Sequence, residues 1–468
     1  MADIVLRHGY LITMDPVRTI IPDATVVIEG NRIVDLGDAD ETRMKQYSGS
    51  QILDAKNMAI FPGLICTHTH LYQVLLRSLG DDYGLEDWLN KMMFPLTKDL
   101  KPTEAYFAAQ LGCAELIKSG CTCVVDNHQN WRTHDDCLRA MLDTGIRGVE
   151  ARGIYDMDRW GFLHRDLIED TEKAIERNED LIRRWHRKAN DRLHVWIGLQ
   201  WAPACSDELV ERACDLSRKY EVGISMHLHE SKHEVDTWRK ETGYTPIQYY
   251  NTKVRRFLDS HLLAVHCVWL DDRDVRTLAA QGVKVSHNPV SNMYVAAGIA
   301  PVPDLMRAGV TVSLGADGAA SNNNQDMFEV MKTTALLHKV AARDPLAITA
   351  ERVLEMATIY GAKALGLEDQ IGSIEQGKKA DVILVDLKAA NVAPLNRVAS
   401  QLVYCGKSSN VHTVIVDGNI VMQNRMLRSV DEIEAIENAQ KASDQLVERN
   451  GFADMRSRKW ISLPTKEE

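Results

Sequence analysis

The stretch Pro62-Gly63-Leu64-Ile65-Cys66-Thr67-His68-Thr69-His70 decides the fold. A turn-prone Pro-Gly step opens a short apolar run, and the run ends in two histidines one residue apart. Alternate side chains of an extended segment point the same way, so both imidazoles can reach one metal ion. Taken alone, the pair fits two surface or core histidines equally well. Seven further strand-like runs downstream change that reading: Cys121–Asp126, Arg147–Arg152, His194–Gln200, Gly223–His227, Leu262–His266, Val283–His287 and Thr311–Gly315. Helical stretches separate them. In 104–119, Phe107, Leu111, Ala114 and Ile117 share one face, and 325–342 is rich in Met, Leu and Ala. Eight strand–helix units over residues 61–370 are the arithmetic of an α/β protein with a (β/α)8 TIM barrel.

In such a barrel every strand opens its C-terminal end onto one face, where the loops build the site. The fifth strand ends in His227-Leu228-His229-Glu230, the sixth in His266-Cys267 and the eighth in Gly315-Ala316-Asp317-Gly318. With the first strand, these bring His68, His70, His227, His266 and Asp317 together. A strand-end His or an Asp before Gly is ordinary by itself; the joint placement predicts a metal site.

Outside the barrel, both chain ends are β-rich. Near the N-terminus, Ala24–Glu29 and Ile33–Leu36 flank the turn Gly30-Asn31-Arg32. Near the C-terminus, Asp381–Asp386 follows Gly377-Lys378-Lys379, and Val411–Val416 precedes Asp417-Gly418-Asn419. The expectation is a small β-sandwich domain built from 1–60 plus 371–428, with 429–468 a final helix and tail. Ser429-Val430-Asp431-Glu432 resembles a capping box opening that helix, which carries Ile433, Ile436 and Leu446; charged residues end the chain after Pro464.

Of 468 residues, 45% are hydrophobic and 26% charged, a balance of folded proteins, not disordered ones. The net charge of −11 argues against nucleic acid or an anionic membrane as partner. There is no apolar run of about 18 residues to span a bilayer, and the N-terminus lacks a signal peptide's apolar core. Nine scattered Cys without a CxxC pair read as thiols of a reducing cytoplasm.

Two motifs point elsewhere. His229-Glu230-Ser231-Lys232-His233 matches the HExxH of zinc proteases, which requires a continuous helix; here it straddles a strand end. Gly372-Ser373-Ile374-Glu375-Gln376-Gly377-Lys378-Lys379 resembles a P-loop, but Lys379 replaces the Ser/Thr that binds magnesium, and a strand follows instead of a helix. The PCxxC signature of cytidine-deaminase zinc sites is absent.

The ordered motifs at 62–73, 227–230, His266, 286–292, 314–327 and 377–386 make the chain resemble the amidohydrolase superfamily along nearly its whole length. Within it the chain resembles the single-metal aminohydrolases: triazine hydrolases of the atrazine chlorohydrolase and melamine deaminase type, and methylthioadenosine/S-adenosylhomocysteine deaminases. The resemblance implies His68, His70, His227 and Asp317 as ligands, Glu230 as proton shuttle and His266 as an assistant to the nucleophile. It implies one divalent ion, Zn2+ in the first place, with Fe2+ or Mn2+ as alternatives. Strand four ends Ile197-Gly198-Leu199-Gln200, without the Lys that a two-metal site needs. Gln73, Trp88, His128, Trp201 and Ser321 are expected against a small heteroaromatic or amide-like substrate, in a cytoplasmic homo-oligomer.

The resembled nucleoside deaminases carry a ribose-holding Glu near residue 97 and a His after strand four. Here the positions read Met93-Phe94-Pro95-Leu96-Thr97 and Gln200-Trp201-Ala202-Pro203. Both departures favour the triazine-like branch. The implied reaction is displacement of an amine or halide from an electron-poor ring by a metal-activated water, with Asp317 taking its proton and Glu230 protonating the ring or the leaving group. Cleavage of a urea, carbamate or thiocarbamate and deamination of a purine nucleoside are the alternatives. A non-catalytic scaffold would have lost ligand positions, and none is lost.

Overall fold

In the computed structural model, described over residues 3–40, 47 and 49–457, the chain ends build one hydrogen-bonded mixed sheet of nine strands. The N-terminal part supplies β1 (Ile4–Ile12), β2 (Ile20–Glu29), β3 (Arg32–Asp38), β4 (Gln51–Asp54) and β5 (Met58–Pro62). Gly30, at φ 57°, makes the tight turn between β2 and β3 that the sequence predicts. The barrel strands are β6 (Leu64–Thr69), β7 (Cys121–His128), β8 (Arg147–Ile154), β9 (Leu193–Trp201), β10 (Ile224–Leu228), β11 (Leu262–His266), β12 (Lys284–His287) and β13 (Val312–Leu314). The chain then returns with β14 (Val382–Asp386), β15 (Val411–Val416), β16 (Asn419–Gln423) and β17 (Met426–Leu427). β14 pairs antiparallel with β5, joining the two ends, and Ile4, Leu6, Ile28, Val382, Leu384 and Ile415 share a buried core.

β6 to β13 pair in parallel and in sequence order. Between β13 and β6 the seam is closed by side chains: Thr67 Oγ1 lies 2.8 Å from Ser313 Oγ and donates to the Leu314 carbonyl at 3.0 Å. The Asp317 amide reaches the His68 carbonyl at 3.0 Å. This is the expected TIM barrel, with the composite sheet as a separate layer. β7 and β8 each run two residues beyond their predicted ends. Asn127 and His128 look like loop residues in the sequence, yet both are buried, with Asn127 Nδ2 and His128 Nε2 bonded inside the fold.

The helix expected at 104–119 spans Pro102–Lys118, and the one at 325–342 spans Met327–Ala342 behind an Asp326 cap. The C-terminal helix, Glu432–Arg449, departs from its predicted cap. Asp431 Oδ1 accepts the amides of Ile433 and Glu434, while Ser429 Oγ donates to the Thr144 carbonyl. Ile433 and Ile436 are exposed, and Ala435, Ala439, Ala442 and Leu446 are buried instead. Small residues let this helix approach helix 102–118 closely, which leaves the isoleucines on the outer side. Charged residues after Pro464 lie outside the described residues. Among the described residues no helix is long and apolar enough to cross a membrane. All nine cysteines are free thiols, and all but Cys405 are buried.

Candidate active site

The strand ends converge as barrel geometry requires. His68 is fully buried, and neither of its ring nitrogens has a hydrogen-bond partner. Its Nε2 stands 3.4 Å from Asp317 Oδ1, and His70 Nε2 stands 3.5 Å from the same oxygen. Ligand atoms of His68, His70 and His227 lie within 4.8 Å of one another, as do those of His68, His266 and Asp317.

The outer nitrogens set the tautomers. His70 Nδ1 faces the Asn127 carbonyl, and His227 Nδ1 faces the Gln200 carbonyl at 2.6 Å. A carbonyl only accepts, so each Nδ1 carries the proton and each Nε2 presents a lone pair to the centre. Burial holds the imidazoles of His68, His227 and His70 below the usual histidine range, the last at about 3. Burial disfavours the Asp317 carboxylate, but the facing His68, His266 and His70 overcome it and hold its pKa well below the ordinary carboxylate value. Three neutral imidazoles and one carboxylate with inward, unpartnered nitrogens fit a divalent N/O-liganded metal ion.

Beside this centre, His266 Nε2 lies 3.6 Å from Glu230 Oε1, while its Nδ1 is held by Asn292 Oδ1 at 2.8 Å. Burial, reinforced by the Asp317 and Glu86 charges, raises the Glu230 carboxyl well above its usual range. A carboxyl raised in this way keeps its proton to higher pH than a free one, as a proton carrier requires. Asp317, His266 and His229 all adopt left-handed backbone angles, at φ 60°, 71° and 56°. Such conformations cost free energy in non-glycine residues, and they turn these strand ends sharply.

Glu230, His266 and Asp317 line one pocket with Gln73, Trp88, Trp201 and Ser321. The sequence reading missed Leu85, Leu89, Phe94, Tyr155, Ser291 and Val295 on the same wall. Tyr155 follows the end of β8 directly, a position the barrel rule alone would have flagged. Trp201 stacks on Phe162 at an interplanar angle of 16°. His128 is a correction. It does not line the pocket: its Nε2 bonds Thr133 Oγ1 at 2.5 Å, and its ring packs against Tyr72 and His134. On β7 the alternation that sends Asn127 toward Ser225 sends His128 to the opposite face, while Gln129 reaches the pocket.

Neither competing motif forms a site. The helix begins at Lys232, so His229 lies outside it. His229 Nδ1 donates to the Trp269 carbonyl at 2.9 Å, and its Nε2 accepts the Ile247 amide at 3.2 Å. His233 is exposed beside Trp160. The P-loop-like stretch leads into β14; Lys378 bonds the Glu368 carbonyl, and Lys379 pairs with Asp417 at 3.2 Å.

Residues 59–421 match the model of the amidohydrolase family. The chain belongs to the amidohydrolase family. It is a hydrolytic enzyme of C–N bonds, as the sequence resemblance implied. The chain is 38% identical to a 5'-deoxyadenosine deaminase of Methanosarcina mazei over 449 residues, covering 96% of this chain and 99% of that one. It is 35% identical to a 5-methylthioadenosine/S-adenosylhomocysteine deaminase of Pelotomaculum thermopropionicum, covering 96% and 100%. Among solved structures, a zinc-bound adenosine deaminase of Xanthomonas campestris superposes with a TM-score of 0.85 at 29% identity, covering 95% and 98%. An atrazine chlorohydrolase of Arthrobacter aurescens complexed with zinc, at TM-score 0.87 and 24% identity over 94% and 100%, shares the fold.

Proposed function

We propose that this amidohydrolase displaces an exocyclic amine, as ammonia or a substituted amine, from an electron-poor six-membered nitrogen heteroaromatic ring. The observation that carries the reading is the buried Glu230 carboxyl, 3.6 Å from His266 Nε2, in an aromatic pocket beside the His/Asp centre. His68, His70, His227 and Asp317 are proposed to hold one divalent ion, zinc in the first place. That ion would supply a water acidic enough to act as nucleophile near neutral pH. Asp317, ionised in the resting site, accepts the water's proton. His266, fixed by Asn292, orients the attack. Glu230 then delivers its proton to a ring nitrogen or to the departing amine, which turns a poor leaving group into a neutral one.

The deaminases of adenosine analogues among the relatives support a ring of adenine type. The wall argues about what the ring carries. Thr97 is buried where the resembled nucleoside deaminases place an acid, and Gln200 and Trp201 replace a His. We read the ring substituent as apolar and flat-sided, stacked between Trp201 and Phe94. The test is product release from a panel that includes 5'-deoxyadenosine, methylthioadenosine, S-adenosylhomocysteine, alkylated aminotriazines, chlorotriazines and phenylureas. Ammonia or amine release from a heteroarene supports the proposal; turnover confined to phenylureas overturns it.

A further inference from the structure

Glu234 is buried and sits in the first turn of helix 232–242, where Ser231 is the cap and its Oγ accepts the Glu234 amide at 3.1 Å. In a capping box the side chain at this position reaches back to the cap residue's own amide. Glu234 reaches further. Its Oε1 accepts the His229 amide at 3.0 Å, and its Oε2 accepts the Glu230 amide at 2.9 Å. One carboxylate therefore spans the two residues that leave β10. His229 is the one in the left-handed conformation, and its carbonyl in turn accepts the amides of Val268 and Trp269, both at 3.0 Å, from the loop that leaves β11 just after His266. The turn that aims Glu230 into the pocket and the segment that carries His266 are locked to one another through it.

We propose that Glu234 is a positioning residue for the reaction: by holding the amides of His229 and Glu230 it fixes the turn that places the Glu230 carboxyl against His266. A strained turn persists only where its surroundings over-determine it, and this carboxyl group supplies two of the bonds that do so. The proposal rests on the reading of Glu230 as the proton carrier. It separates Glu234 from an ordinary helix cap, because losing a cap lowers stability without changing turnover per folded site.

The experiment compares wild type with Glu230→Gln, Glu234→Gln and Glu234→Ala, using whichever of 5'-deoxyadenosine or an alkylated aminotriazine the wild type turns over faster. Metal content and folded fraction are measured on the same samples. Gln keeps the shape and one acceptor but turns an N–H donor toward a backbone N–H; Ala keeps neither acceptor. The expected result is graded: kcat per metal-loaded chain falls about 10²-fold in Glu234→Gln, as misplacement of a catalytic group does, and further in Glu234→Ala. Metal content stays within about twofold on the same argument, because the Glu234 carboxyl bonds none of the proposed ligands. Wild-type kcat per loaded chain in Glu234→Gln, with Glu230→Gln inactive, overturns the positioning role and leaves the reading of Glu230 standing. Full activity in Glu230→Gln overturns both.

Discussion

The Arg147 guanidinium, at the start of β8, lies 2.8 Å from the Asp381 carboxylate ahead of β14, and both are buried. A second Arg147 nitrogen reaches the other Asp381 oxygen at 3.0 Å. Asp381 Oδ1 also accepts the Asp417 amide at 2.8 Å. The contact ties the floor of the barrel to the sheet of chain ends, at the opposite end of the strands from the pocket. Removing one partner strands a buried charge, so Asp381→Ala should cost about 3–5 kcal/mol of stability. Chemical denaturation should detect this, while kcat of the remaining folded enzyme stays at the wild-type level.

Metal content distinguishes the barrel-mouth site from the HExxH alternative. His68→Ala, His227→Ala and Asp317→Asn should lose the ion and activity together, because an open catalytic site has no ligand to spare. His233→Ala should keep about one ion per chain and most of its turnover, since that ring sits outside beside Trp160. Elemental analysis of the purified variants reads this without knowledge of the substrate. Two ions per wild-type chain would contradict the single-metal assignment.

Glu230→Gln should keep its metal and lose roughly 10²–10⁴-fold in kcat, the range for a general acid–base group. The pH dependence follows from the direction of its shift. Burial first, then the Asp317 and Glu86 charges, raise the Glu230 carboxyl, so it keeps its proton to higher pH than an ordinary glutamate does. Turnover that needs this proton therefore falls as pH rises through the raised value. In Glu230→Gln the alkaline limb of the kcat profile should disappear from the residual activity.

The wall residues predict a preference among rings. The sequence resemblance aligns Thr97 with the sugar-binding acid of nucleoside deaminases, so adenosine and methylthioadenosine should have lower kcat/KM than a heteroarene with an apolar substituent. A site built to bind a hydroxyl discriminates by about 10⁴–10⁵, so its loss should be visible in competition assays. Trp201→Ala should raise KM for the apolar substrate, because it removes the stacking face while leaving the His/Asp centre intact. Nucleosides turning over as well as the best alternative heteroarene would contradict this preference.

The sequence by itself determined the barrel, the join of the two chain ends and the convergence of His68, His70, His227, His266 and Asp317. The physical reason is that strand-end position in a parallel barrel dictates which side chains share the mouth, and strand ends can be read from apolar runs and turn residues. Only the tertiary structure decided which way His128 faces, that Asp431 caps the last helix, and that Ile433 and Ile436 stand outside it. Those outcomes depend on register, on the close approach of two helices, and on bonds between residues far apart in the chain. The same holds for Glu234. Its place in a capping pattern is local, but its grip on the Glu230 turn depends on the left-handed His229, whose side chain is pinned by Trp269 and Ile247. Local sequence specifies what each segment prefers; long-range contacts decide where a strained turn can be held, and here such turns aim the residues proposed to do the chemistry.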